Sequence, residues 1–277
     1  MELREFVKLA LKEDVGPGDY TTLATVPPAT PGKSVLLVKE NGVLAGMRVA
    51  EEIIRAFDPH IVFEAHLKDG DEIEKGQRAF HLTGSAASML TIERTVLNVM
   101  QRMSGIATKT RRLARLIEHT GTRLLDTRKT TPLMRFLEKE AVVIGGGMNH
   151  RFGLYDMIMI KDNHVDFAGG IEAAIRKTTA YLQANRLDLK VEIEVRDTDE
   201  LEQVLAAGGV DRIMLDNFTP EALKRAVDRI DGRYETEASG GITEDNILDY
   251  ALTGVRYISS GALTHSVKSL DLSLKAV

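Results

Sequence analysis

The sequence contains no cysteine and no tryptophan, and these absences exclude several classes of protein before any motif is considered. A chain without cysteine has no disulfide framework, no thiolate ligands for zinc or iron-sulfur clusters, and no thiol nucleophile. The absence fits a reducing compartment, so we expect a cytoplasmic protein. Long apolar runs are also missing, since no stretch approaches the roughly 18 residues that cross a bilayer and the N-terminus does not resemble a signal peptide. We therefore expect no membrane role.

The charge of the chain is mildly acidic but unevenly distributed. Thirty-six basic residues face 41 acidic ones, a formal net charge of -5, which argues against general nucleic-acid binding. Residues 94–161 nevertheless hold thirteen basic and five acidic side chains, a balance of +8. The remaining 23 basic and 36 acidic side chains balance at -13. This distribution predicts a confined cationic pocket for a small ligand with several negative groups.

The pattern of the chain changes near residue 100. Before that point it is mixed, with a helix predicted over residues 2–12, a turn-rich loop over 13–22, a helix over 50–57, and strands over 34–39 and 60–67. The turn over residues 68–76 is similar to that of lipoyl carrier domains, but the lysine motif of a carrier is absent, so we expect an ordinary hairpin turn. Residues 88–118 predict a long helical stretch with a break near Ser104 and Gly105.

Strands and helices alternate after Thr122. The predicted strands cover residues 123–126, 157–160, 191–195, 212–215, 234–237 and 256–259. Repeated β-α units imply a parallel sheet, and their number favours a (β/α) barrel over a doubly wound sheet. Six strands are fewer than the eight of a complete barrel, so we expect an incomplete one.

Polar residues follow nearly every predicted strand, which is where a (β/α) barrel builds its active site. The segments concerned are 126–129, 161–164, 192–194, 216–217, 239–241 and 259–261. A barrel with only a structural role does not need them. Glycine-rich turns after the last two strands are typical of phosphate sites, where backbone N–H groups and a helix N-terminus face the anion.

Two features of these strand ends point to specific chemistry. Glu192 and Glu194 are two residues apart on one strand, so they share a face on which an unpaired charge is costly. Either a salt bridge or a divalent cation shared with Asp216 would satisfy them, and the residues alone leave both interpretations open. The glycine-rich segment 145–147 leads into His150 and Arg151, whose basic side chains need an anionic partner.

Eight short motifs occur in order over most of the chain. They are Glu93-Arg-Thr-Val-Leu-Asn98, Asp126-Thr-Arg-Lys-Thr-Thr-Pro132, Gly145-Gly-Gly-Met-Asn-His-Arg151, Ile160-Lys-Asp-Asn-His164, Glu192-Ile-Glu194, Leu215-Asp-Asn217, Glu237-Ala-Ser-Gly-Gly241 and Gly261-Ala-Leu-Thr-His265. Together they closely resemble the quinolinate phosphoribosyltransferase family, also called nicotinate-nucleotide pyrophosphorylase (carboxylating).

The resemblance implies both a fold and a reaction. The expected fold is an N-terminal α/β sandwich-like domain over residues 1–103 and an incomplete, seven-stranded α/β barrel over 104–264, with the tail 265–277 packing back on the first domain. The expected enzyme is a homodimeric pentosyltransferase of NAD biosynthesis. With Mg2+, it would convert quinolinate and phosphoribosyl pyrophosphate to nicotinate mononucleotide, pyrophosphate and CO2.

The resemblance also implies a role for each matching residue. Quinolinate would be held by Arg128, His150, Arg151 and Lys161, with Arg94 reaching in from the partner subunit. The phosphates would contact Lys129, Ser239, Gly240, Ser260 and Gly261. Glu194 and Asp216 would face the ribose hydroxyls and the Mg2+, and with Lys129 they form the expected catalytic set.

The sequence departs from the family's usual pattern at one place. Leu133 and Met134 follow Pro132 where the family usually has Gly after the proline, so we expect a local backbone adjustment beside Arg128 and Lys129.

A paralogue associated with molybdenum transport shares much of the scaffold, but the group of Arg128, His150 and Arg151 favours the quinolinate enzyme. A non-catalytic barrel that senses a phosphorylated metabolite would not explain the pair of Glu194 and Asp216.

Overall fold

A computed structural model describes residues 2–277 and contains eleven α-helices and twelve strands in this part of the chain. In chain order they are α1 (Leu3–Val15), α2 (Tyr20–Thr25), β1 (Pro31–Val38), β2 (Gly42–Val43), α3 (Met47–Phe57), β3 (Val62–Ala65), β4 (Glu72–Ile73), β5 (Arg78–Ser85), α4 (Ala86–Ile117), β6 (Arg123–Leu125), α5 (Arg135–Ile144), β7 (Ile158–Ile160), α6 (Asp162–Ala168), α7 (Ile171–Asn185), β8 (Val191–Val195), α8 (Thr198–Ala207), β9 (Arg212–Asp216), α9 (Pro220–Ile230), β10 (Glu235–Ser239), α10 (Ile247–Ala251), β11 (Tyr257–Ser259), α11 (Ala262–His265) and β12 (Leu272–Ala276).

The chain forms two compact units that alternate along the sequence. The first contains the residues up to Arg111, Thr130–Gly146 and Leu263–Val277, and the second contains Arg112–Lys129 and Gly147–Ala262. The predicted domain boundary between residues 103 and 104 falls within α4 and stays a prediction. No helix in residues 2–277 is long and apolar enough to cross a membrane.

The first unit is built on an antiparallel sheet with the strand order β12-β1-β5-β3. Strand β1 pairs with both β5 and β12, so that Ser34 lies opposite Leu82 on one side and Ala276 on the other. Helix α3 has the spacing of an amphipathic helix, and its apolar residues Met47, Ala50 and Ile54 are buried. The last strand of the chain, β12, therefore forms one edge of this sheet, beside the first strand, β1.

Helix α4 corrects the prediction of a break near Ser104 and Gly105. It runs without interruption for 32 residues. Gly105 has a packing role instead, because a Cβ at this position would collide with the backbone carbonyl oxygen of Lys268. Ser104 is buried, and its hydroxyl accepts a hydrogen bond from the N–H of Ala45 at 2.9 Å. Small residues thus allow other segments of the first unit to approach the helix closely.

The second unit is built on a parallel sheet with the strand order β6-β11-β10-β9-β8-β7. All six predicted strands are confirmed, and their central residues, such as Ile193, Ile213 and Leu215, are fully buried. The seventh strand that the family resemblance implies is reduced to a single parallel bridge between Leu125 and Met148. This α/β architecture confirms the predicted fold class, an N-terminal α/β domain with an incomplete barrel.

Side-chain caps fix where helices begin after the strands. The Asp197 carboxylate accepts the N–H of Glu200 at the start of α8, and the Thr219 hydroxyl accepts the N–H of Ala222 at the start of α9. Pro220 occupies the first turn of α9, where its missing N–H costs nothing. These caps fix how far each connecting loop extends beyond its strand.

Candidate functional site

The register of the parallel sheet places the predicted residues of the second unit at one edge. Asp216 pairs with Ser239, Ile160 with Ile193, and Leu125 with Ser259, so the carboxyl ends of neighbouring strands stop at the same level. The residues at or just beyond these ends are Arg128, Lys129, Lys161, Glu194, Asp216, Ser239, Gly240, Ser260 and Gly261.

Glu194 has a cationic partner at this edge. The Lys161 ammonium donates to Glu194 Oε2 at 2.9 Å, and the Glu194 side chain is 10% exposed against 46% for Lys161. Burial raises the pKa of Asp216, and the nearby charge of Glu194 raises it further. The two carboxylates therefore repel each other, and a cation that contacts both would relieve this repulsion.

Glu192, two residues before Glu194 on β8, belongs to a separate, buried cluster. His150 Nε2 lies 3.0 Å from Glu192 Oε2 and 3.4 Å from Glu237 Oε2, and the two carboxylates are fully buried. Arg212 Nη1 donates to Glu237 Oε2 at 3.0 Å, and its guanidinium carbon lies 4.2 Å from the centre of the Tyr257 ring. We call Glu192, Glu237, His150 and Arg212 the buried ionic cluster.

The backbone fixes the position of His150 within the buried ionic cluster. Its N–H donates to Asp126 Oδ1 at 2.8 Å, and its Nδ1 accepts the N–H of Arg151 at 2.7 Å, so Nε2 faces the carboxylates. Burial lowers the pKa of His150, but Glu192 and Glu237 outweigh burial and raise it. Burial and the charge of Glu237 raise the pKa of Glu192 to about 7.

Sequence reasoning identified Glu192 and His150 but missed the contribution of Glu237 and Arg212. Arg212 begins β9, and Glu237 lies at the centre of β10. A detectable signal was present, because each is an ionisable residue within a predicted strand. The register then pairs Arg212 with Glu192 and with Glu235. Of the two interpretations of the acidic pair, the contacts favour the salt bridge, because Lys161 pairs with Glu194 while His150 and Arg212 lie beside Glu192, and the shared cation stays a prediction.

Arg128 and Arg151 form the cationic side of the site. Burial lowers the pKa of the half-buried Arg151, and the positive charge of Arg128 lowers it further. Arg151 Nη1 donates to the carbonyl oxygen of Met157 at 3.1 Å, which fixes the direction of the side chain. Two neighbouring guanidinium groups repel each other and are suited to an anion that contacts both. Lys129 follows Arg128 in the sequence, and its side chain is exposed to solvent.

The loops after β10 and β11 contain the predicted phosphate contacts. Gly240 and Gly241 both have positive φ, 92° and 62°, a conformation that glycine adopts without steric cost. Ser260 is buried, and its N–H donates to the carbonyl oxygen of Leu125 at 3.0 Å. Arg94 is exposed on α4 in the first unit, and its action in a partner subunit stays a prediction.

The departure at Leu133 lies in an unusual backbone conformation, and the expected local adjustment stays a prediction. Leu133 has a φ of 66°, in the left-handed region that favours glycine, and its side chain is 65% exposed. The Thr131 N–H, two residues earlier, donates to Glu138 Oε2 at 3.1 Å. The chain therefore accommodates leucine in a glycine-like conformation at this position.

Carboxylate oxygens decide which metal the site could hold. Glu194 and Asp216 offer the hard oxygen ligands that Mg2+ prefers, and their mutual repulsion favours a bound cation. Among residues 2–277, His150, Glu192 and Glu237 are the one group of three potential ligands whose atoms lie within 4.8 Å of one another. We assign no metal there, because Arg212 already supplies positive charge to Glu237.

Comparison with known proteins gives one consistent family. Models of the N-terminal and C-terminal domains of "Quinolinate phosphoribosyl transferase" match residues 19–104 and 106–275. The chain is 45% identical to a quinolinate phosphoribosyltransferase [decarboxylating] of Nicotiana tabacum over 99% of the chain and 82% of that protein. It is 42% identical to a probable nicotinate-nucleotide pyrophosphorylase [carboxylating] of Bacillus subtilis over 99% of the chain and 93% of that protein. The structure of NadC from Streptococcus pyogenes is similar with a TM-score of 0.93 and 41% identity, covering 99% of this chain and 97% of that one.

Proposed function

This chain belongs to the quinolinate phosphoribosyltransferase family, and from that premise we propose how its residues carry out the family's reaction. The protein is a pentosyltransferase of NAD biosynthesis. It converts quinolinate and phosphoribosyl pyrophosphate to nicotinate mononucleotide, pyrophosphate and CO2.

We assign quinolinate to the cationic side of the site. Arg128, Arg151 and Lys161 would contact its two carboxylates, with His150 at the base of the pocket. The observation that carries this assignment is the effect of the Arg128 charge, which lowers the pKa of Arg151; a dicarboxylate would relieve this repulsion. The buried ionic cluster supports this assignment, because Glu192 and Glu237 fix the position of the His150 imidazole.

The acidic edge is assigned to the ribose. Glu194 and Asp216 would accept hydrogen bonds from the ribose hydroxyls, and Lys161 would move between Glu194 and a quinolinate carboxylate. The pyrophosphate and the 5′-phosphate would contact Lys129, Ser239, Gly240, Ser260 and Gly261. Bound Mg2+, held by Glu194 and Asp216, would neutralise charge on the leaving pyrophosphate.

These assigned residues would support both chemical steps. In the first, the pyridine nitrogen forms a bond to the anomeric carbon as the bond to pyrophosphate breaks, and positive charge develops on the ribose. The carboxylates of Glu194 and Asp216 would stabilise that charge. In the second, the 2-carboxylate leaves as CO2 and its electron pair remains on the ring carbon beside the cationic nitrogen, where a proton replaces it. The arginines must orient this carboxylate without holding it too tightly to leave.

We further propose a homodimer in which Arg94 contributes to the site of the partner subunit. The exposure of Arg94 on α4 supports this, because its guanidinium is accessible to a second chain. Mixing Arg94→Ala subunits with Arg128→Ala subunits should then restore part of the activity, since a mixed dimer has one site with both arginines. If mixed dimers are as inactive as either parent, Arg94 does not act across the interface.

A cytoplasmic location belongs to the same proposal and rests on composition. The names of several plant relatives place those proteins in mitochondria or chloroplasts. A fractionation of the source cells would test the location directly.

The experiment for the assigned residues is a steady-state assay with quinolinate, phosphoribosyl pyrophosphate and Mg2+. Arg151→Ala should weaken quinolinate binding by roughly 1.5 to 3 kcal/mol, the contribution of a charge-assisted hydrogen bond. The KM for phosphoribosyl pyrophosphate should change little. Unchanged saturation by quinolinate in this variant would reject the assigned role of Arg151.

A further inference from the structure

Asn217 follows Asp216 directly at the end of β9 and has an unusual backbone conformation. Its φ is 58°, in the left-handed region that few residues other than glycine adopt. Arg186 and Asp231 have the same conformation where α7 and α9 end, which is a common role for it. Asn217 ends no helix. Its conformation instead belongs to the turn between β9 and α9, at the edge where the site lies.

The contacts of Asn217 connect two parts of that site. The side-chain amide donates to Asp216 Oδ2 at 2.6 Å, and the backbone N–H donates to the carbonyl oxygen of Ser239 at 2.8 Å. The second bond extends the pairing between Ser239 and Asp216 by one residue beyond the strands. On the other side, the Asn217 amide packs against Gly240 so closely that a Cβ at Gly240 would collide with it.

We propose that Asn217 is a positioning residue for phosphoribosyl pyrophosphate, which holds the Asp216 carboxylate and the Gly240 turn in a fixed relation to each other. Through Asn217, the group that faces the ribose and the group that faces a phosphate form one rigid arrangement. This inference rests on the proposed function, because it uses the assignment of Asp216 to the ribose and of Gly240 to a phosphate.

The chemistry of asparagine explains why this residue type suits the position. Asparagine tolerates the left-handed conformation better than most residues, and its amide can donate to a carboxylate. Aspartate has the same shape but would place a second negative charge beside Asp216. Glycine would keep the backbone conformation but would lose both the hydrogen bond and the contact with Gly240.

These two substitutions therefore make a matched test. Asn217→Asp and Asn217→Gly should each raise the KM for phosphoribosyl pyrophosphate about tenfold or more, the equivalent of one hydrogen bond to a charged group. The KM for quinolinate should stay unchanged, because Arg128 and Arg151 do not depend on the turn. Asp231→Gly is the control, since it removes an exposed side chain from the same backbone conformation at the end of α9 and should leave both KM values unchanged.

A double-mutant cycle tests the contact with Gly240 itself. Gly240→Ala should raise the KM for phosphoribosyl pyrophosphate in the wild type, and it should do so by a smaller factor in the Asn217→Gly background, where the colliding amide is gone. Equal factors in both backgrounds would show that the two residues act independently.

Two measurements without turnover separate this inference from the proposed function. Calorimetric titration of each protein with phosphoribosyl pyrophosphate alone should show weaker binding in both Asn217 variants. Amide hydrogen exchange at Gly240, Gly241 and Ile242 should be faster in both variants and unchanged in Asp231→Gly. If the wild type neither binds this ligand nor turns over, the proposed function fails, and exchange still decides whether Asn217 orders the turn. The inference is overturned if exchange is unaltered, if binding is unaltered, or if both KM values rise equally.

Discussion

Replacing Glu192 by glutamine should make the stability of the protein less sensitive to pH. Glu192 is fully buried, and burial together with the charge of Glu237 raises its pKa to about 7 from the ordinary value of 4.5. Above pH 4.5 the unfolded chain releases this proton while the folded protein retains it. The contribution of Glu192 to stability therefore decreases as pH rises from 4.5 to about 7, where the folded protein also loses this proton.

The size of the loss follows from the two pKa values. At 1.36 kcal/mol per pH unit, the interval between 4.5 and about 7 corresponds to about 3 kcal/mol. Glutamine has nearly the volume of protonated glutamate, and it can still donate one hydrogen bond and accept another between His150 and Glu237. The variant should therefore gain about 3 kcal/mol relative to the wild type between about pH 5 and about pH 8.

Urea unfolding followed by circular dichroism at a series of pH values measures this difference. Glu118→Gln is the matched control, because Glu118 lies exposed in the turn after α4 and its variant should follow the wild type at every pH. The reasoning is refuted if the difference between the wild type and Glu192→Gln is the same at pH 5 and pH 8.

Three further substitutions test the packing and the backbone. Arg102→Met removes the cation that lies 2.9 Å from the fully buried Glu138, and urea unfolding should show an unfolding free energy lower by about 3 to 5 kcal/mol. Arg48→Met, at an exposed ion pair, should lower it by less than about 1 kcal/mol. Equal losses would contradict this. Gly105→Ala should lower the unfolding free energy by about 1 to 3 kcal/mol through its collision with a carbonyl, and an unchanged melting temperature would show that the helix can shift. Leu133→Val should lose about 1 kcal/mol while Leu133→Gly does not, because the backbone there is left-handed; the reverse order in thermal unfolding would reject the strain.

Much of the second unit could be predicted from the sequence because its signals are local. Runs of apolar residues that end in polar ones mark both the strands and their functional ends, so all six strands and the edge containing Glu194 and Asp216 were predicted. The single bridge at Met148 could not be predicted, because one paired residue leaves no periodic pattern in the sequence.

The partners of buried charges could not be read from the sequence in the same way. Which cation reaches Glu192 depends on the register of β8 against β9 and on the loop that positions His150, and both are tertiary. Gly105 shows the same limit, since glycine in a helical pattern predicts a break and only the approach of Lys268 shows why a glycine is needed there. Asn217 gave no local signal beyond its motif, because its importance lies in a contact with Gly240.

The most direct test of the account is the fate of the 2-carboxylate of quinolinate. Purified protein should be incubated with quinolinate labelled with carbon-13 in that carboxylate, phosphoribosyl pyrophosphate and Mg2+. The account predicts labelled CO2 and unlabelled nicotinate mononucleotide in equal amounts, each dependent on phosphoribosyl pyrophosphate. A nucleotide that retains the label, or the absence of both products, would contradict it.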